Sequence, residues 1–162
     1  MRNKRVFAFI DSQNLNLGVK SQGWELDFAR FRILLKDKYN VERAYLFIGY
    51  IPINKNLYIY LQKSGYTIIY KPTVELNSNT KPIKGNVDAE LVLHAMIEFS
   101  KYQKAIIVSG DGDFYCLVEY LRKKRKLDKI IVPSIKYSSL LREFAPYIVN
   151  IASFKDRVKN TK

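Results

Sequence analysis

Short apolar runs alternate along the chain with stretches whose apolar residues recur every three or four positions. Val6–Ile10 is an unbroken apolar, β-branched and aromatic run that stops at Asp11, the pattern of a buried strand. Leu26–Tyr39 places Leu26, Phe28, Phe31, Leu34 and Leu35 at near-helical spacing. Asp27 comes early and Lys36 and Lys38 late, which suits a helix dipole. Val41–Ile51, closed by Pro52, predicts a strand; Asn54–Lys63 a helix stopped by Gly65; Tyr66–Tyr70 a strand ended before Pro72. Thr73–Gly85 has no period and predicts a surface loop. Helical spacing returns over Asn86–Tyr102, with Val87, Leu91, Ala95 and Phe99 on one face. The remainder predicts a strand at Ala105–Val108, a helix at Phe114–Lys124 and a strand at Lys129–Val132 before Pro133. A short helix at Ser138–Phe144 and a last strand or extended segment at Tyr147–Ala152 complete the series.

Strands separated by helices imply βαβ units and a mostly parallel sheet. The expectation is one α/β domain over 1–162, a three-layer sandwich with its core at about 5–151 and a basic C-terminal tail at 154–162. Ligands of such sheets sit beyond the strand C-termini, where the strand order reverses.

Composition narrows the partner. The 162 residues carry 28 Lys+Arg against 15 Asp+Glu, a net charge of +13, and are 48% hydrophobic and 14% aromatic. That is too apolar for a disordered basic tail and points to a folded domain with a polyanionic partner, nucleic acid first. One cysteine, Cys116, expected in the core, and one histidine, His94, exclude an internal disulfide and a Cys/His zinc site. Five apolar residues after the basic Met1–Arg5 are too few for a signal peptide, and no stretch has transmembrane length. The expected setting is the cytoplasm, with no membrane partner.

Against that frame the carboxylates cluster. Asp11 follows the first strand, and Asp111 and Asp113 follow a later one in Ser109-Gly110-Asp111-Gly112-Asp113-Phe114. Asp88 begins the helix that leads into it, in Lys84-Gly85-Asn86-Val87-Asp88. Each has a purely local explanation: an Asx turn at Asp11, a helix N-terminus at Asp88, a turn at Asp111, an N-cap at Asp113. Together they put acids from three segments at one predicted sheet edge, an arrangement that calls for cations. Oxygen donors suit Mg²⁺ or Mn²⁺. An EF-hand fails at Tyr115, and a haloacid-dehalogenase-type first strand fails at Gln13.

These motifs, with Asp11-Ser12-Gln13-Asn14-Leu15, resemble the three signatures of NYN domains, PIN-like (Rossmannoid) nucleases, in the LabA/DUF88-like branch. The resemblance runs from about Arg5 to Ile151. It implies a metal-dependent endoribonuclease acting on single-stranded RNA, with Asp11, Asp88, Asp111 and Asp113 as catalytic and metal-binding residues. By the same resemblance Asn14, Lys84 and Ser109 meet substrate. Where many relatives carry a further Asp, six residues past the position of Asp88, this chain has His94. It is read as a packed histidine, with a weak ligand or a proton donor as alternatives, and it puts a second metal in question. Two other readings remain: a non-catalytic RNA-binding or regulatory module on the nuclease fold, and a phosphatase or nucleotide-processing hydrolase using the same metal site. Lys71, Lys81 and Lys84 lie near the predicted edge, Arg122–Lys126 at the far end of its helix, and Trp24, Tyr50 and Tyr115 are candidate base-stacking rings. The expected picture is a small acidic pocket in a broadly cationic surface.

Overall fold

A computed structural model describes residues 4–49, 55–71 and 87–161. The Thr73–Gly85 loop, Tyr50, Lys81 and Lys84 lie outside the described residues. Six parallel strands form one sheet in the order β3-β2-β1-β4-β5-β6. They are β1 Val6–Asp11, β2 Val41–Ile48, β3 Tyr66–Tyr70, β4 Lys104–Val108, β5 Leu127–Val132 and β6 Ile148–Asn150.

Every residue of β1 is buried, because both faces of the central strand are covered. Val6, Ala8 and Ile10 pack with α1 (Ser12–Lys20), α2 (Phe28–Tyr39) and α3 (Lys55–Lys63) through Leu15, Val19, Phe31, Leu34, Leu35 and Leu61. Phe7 and Phe9 face the other way, onto α4 (Asp88–Ile97) and α5 (Tyr115–Lys123), through Leu91, Ala95, Leu117, Val118 and Leu121. The result is the expected α/β sandwich: helices, parallel sheet, helices.

Four local readings differ. Ser12–Lys20, to which the sequence pattern assigns no element, is a helix. The helix expected over Asn86–Tyr102 stops at Ile97, and turns fill residues 98–101. Ser138–Phe144 is part of a 3-10 helix, Ser139–Tyr147. The basic tail is folded back: α6, Lys155–Val158, buries Val158, and the backbone N–H of Asp27 and of Asn160 donate to Val158 and Glu25 carbonyls. An antiparallel bridge between Leu26 and Lys159 closes this seam. Among the described residues no helix is long and apolar enough to cross a membrane.

Candidate metal centre at the sheet switch point

From β1 the chain builds outward to β2 and β3, then crosses to β4, β5 and β6 on the other side. The order therefore reverses between β1 and β4, and the crevice beyond their C-termini is where this topology binds ligands. Ile10 pairs with Val108, so the next residues, Asp11 and Ser109, emerge side by side.

Asp11 has two structural tasks. It ends β1 and N-caps α1, its Oδ1 accepting the Asn14 N–H at 3.2 Å. Its Oδ2 lies 3.5 Å from the Ser109 hydroxyl, and only 5% of the residue is exposed. Burial pushes its carboxyl pKa up, the nearby Asp111 charge adds to this, and the Asn14 N–H works against it. The β4 turn is tied to the same strand: Asn14 Oδ1 accepts the Gly110 N–H at 2.9 Å. Ser109 Oγ accepts the Asp111 N–H at 3.1 Å, and Asp111 Oδ1 accepts the Asp113 N–H at 3.0 Å. Asp88 enters from a third segment as the first residue of α4.

Carboxylate oxygens of Asp11, Asp88 and Asp111 all lie within 4.8 Å of one another. They line a cleft of about 530 Å³ with Gln13, Asn14, Gly18, Pro133 and Lys136, among others, a size within the range of ligand sites. Lys136 is the one cation among the described lining residues. Three hard oxygen donors without nitrogen or sulfur, one of them buried and short of positive charge, suit a divalent ion such as those nucleases use.

Several expected residues stand elsewhere. Asp113 is outside this group: it sits in the 3-10 turn Gly112–Phe114 with an exposed side chain. Ser109 is 1% exposed, and its hydroxyl braces Asp11 and the Asp111 N–H. Asn14 joins α1 to the β4 turn and also lines the cleft. His94 lies on α4 with its ring 5.7 Å from that of Phe47 and is no member of the carboxylate group. Trp24 is core, and the Tyr115 ring packs on Phe144 while Glu143 and Glu119 beside its hydroxyl push its pKa up. Cys116 is exposed rather than core, because it falls on the outer side of α5 between the buried Phe114 and Leu117. Missed altogether was the role of Gly18. A Cβ there would come within 2.6 Å of the Pro133 ring, so its absence lets α1 close against the loop after β5 and shape one cleft wall. A glycine in a helix facing a proline at a strand end is the signal that was available.

A parallel α/β sheet with carboxylates gathered at its switch point fits a domain of the PIN-like nuclease superfamily, and the family match carries that assignment. The sequence pattern of the NYN domain matches residues 5–152, and the chain belongs to that family. It is similar to the low amplitude and bright protein LabA of Synechococcus elongatus, 24% identical over 169 residues covering 99% of this chain and 91% of LabA. A Vibrio parahaemolyticus protein of unknown function, seen in a crystal structure, matches with a TM-score of 0.76 at 22% identity. That likeness covers 99% of this chain and 100% of the other, and it speaks to the fold.

Proposed function

We propose that this NYN domain is a cytoplasmic, metal-dependent endoribonuclease that hydrolyses phosphodiester bonds in single-stranded RNA. The convergence of Asp11, Asp88 and Asp111 from three segments at the switch point carries the reading. These three carboxylates would hold Mg²⁺ or Mn²⁺, which supplies Lewis-acid polarisation of a phosphoryl oxygen and a water of lowered pKa. Asp11 is oriented before any ion arrives, by Asn14 and Ser109. Asn14 and Ser109 also set the turn that carries Asp111, so the two ligands keep their spacing. Lys136, on the cleft wall, would meet a non-bridging phosphate oxygen. A carboxylate oxygen of the group would take the proton of the attacking water as the P–O bond to the leaving oxygen breaks, and solvent would supply the proton that this oxygen gains. Asp113, outside the group, is assigned no ligand role.

The test is cleavage of end-labelled single-stranded RNA with Mn²⁺. Wild type should cut internally, and Asp11→Asn should lose about 100-fold or more in rate while still binding RNA. RNA binding without metal-dependent turnover in the wild type would replace this reading with that of a non-catalytic module.

A further inference from the structure

Among the described residues, a group of cations lies at the end of the sheet away from Asp11. All six strands are parallel, so they start at one edge and finish at the other. Lys4 precedes β1, Arg43 lies near the start of β2, Lys101 and Lys104 lead into β4, and Lys124 and Arg125 follow α5. Contacts link several of them along that edge. The guanidinium groups of Arg5 and Arg43 each lie 5.3 Å from the Phe7 ring centroid. The Arg5 carbonyl accepts the N–H groups of Gln103 and Lys104, and Lys104 Nζ donates to the Arg125 carbonyl at 3.1 Å. A cleft of about 510 Å³ opens beside them, lined by Lys4, Arg5, Arg32 and Lys36, with Glu42 its one acid among the described residues. Glu42 is engaged by Arg5 at 2.7 Å, and Glu98 by Lys101 at 3.1 Å.

Helix dipoles explain part of this, since α2 and α5 end here with Lys36 and Lys123 in their last turns. They do not explain Lys4, Arg43 and Lys104, which belong to strands or their approaches. Nor do they explain Arg125, whose φ of 60° occupies a left-handed position that glycine or asparagine fills with less strain. Tyr120, half-exposed beneath Lys124 at 5.6 Å, adds an aromatic surface to the cationic one.

We propose that this strand-N-terminal edge is a second RNA-binding surface, an anchor for the backbone of the strand that is cut at the opposite edge. The proposal rests on the nuclease reading for what happens at the far end. The length of β1 sets the separation at about 20 Å, so only an RNA of several nucleotides can occupy both edges.

The test combines Lys4→Gln, Arg43→Gln, Lys124→Gln and Arg125→Asn, all exposed positions, in one variant. Binding is measured in EDTA for single-stranded RNA of about 4 nucleotides and of more than about 16. The longer RNA should bind the variant about tenfold or more weakly, with the salt slope reduced by roughly 2 to 3. The short RNA should bind as before, and its Mn²⁺-dependent turnover should be unchanged. Equal binding of the long RNA by both proteins overturns the proposal. So does retention of wild type, but not of the variant, by anionic vesicles when long RNA shows no difference. If long RNA distinguishes the two proteins and neither cleaves it, the anchor stands and the nuclease reading falls.

Discussion

Asp11 carries the most conflicting demands of any residue in the structure. It must end a fully buried strand, cap a helix, and remain a carboxylate beside Asp111 at 5% exposure. Burial raises its pKa, so the folded protein binds this proton more tightly than the unfolded chain, whose value is about 3.9. The stability that protonation confers is therefore complete below the unfolded value and is lost as pH rises through the raised folded value. In EDTA, Asp11→Asn should melt progressively higher relative to wild type as pH rises across that window. A divalent ion at about 100 times its dissociation constant should raise the wild-type midpoint by roughly 5–10 °C, and the Asn variant's by much less. Thermal melts of both proteins from about pH 4 to about pH 7 check this; parallel pH profiles would contradict it.

At the scale of elements, the strands and the strongly periodic helices were legible, and the short helix α1 was not. α2 announces itself with Phe28, Phe31, Leu34 and Leu35 in phase and with the acid Asp27 at its start. In α1 only Leu15 and Val19 are buried, in a segment with two asparagines and a glycine, so local propensity opposes the helix. Tertiary packing decides it, at Gly18 against Pro133. Gly18→Ala separates the two effects. Propensity alone favours alanine by about 1 kcal/mol, whereas forcing a methyl into a 2.6 Å gap costs about 1–3 kcal/mol. Denaturant unfolding should show a net loss of about 1–2 kcal/mol; a gain would mean that the proline loop yields freely. Asp113, expected with the other three acids, lies outside their group for a related reason. Sequence shows that it is two residues from Asp111, but not that a 3-10 turn points its side chain outward.

For the whole molecule, the parallel topology converts sequence order into two chemically opposite ends. Carboxylates at strand C-termini meet at the switch point, and cations before strands and after helices meet at the other edge. The positions of Asp11 and Asp111 could be read from the strand pattern alone, because the strand C-terminus is where a parallel sheet places ligands. The surface charge could not. A net +13 suggested a cationic rim around an acidic pocket, yet Lys136 is the sole cation among the described residues lining it. Charge totals carry no direction until the helix ends and strand starts are placed in space.

The central claim concerns three particular carboxylates, and a comparison of Asp88→Asn with Asp113→Asn bears on it most directly. The measurement is Mn²⁺-dependent cleavage of labelled single-stranded RNA by wild type and the two variants under single-turnover conditions. Asp88→Asn should fall about 100-fold or more, as removal of a ligand requires, while Asp113→Asn should stay within about tenfold of wild type. An Asp88→Asn protein that cuts as fast as wild type, or RNA left intact by wild type itself, would contradict the account.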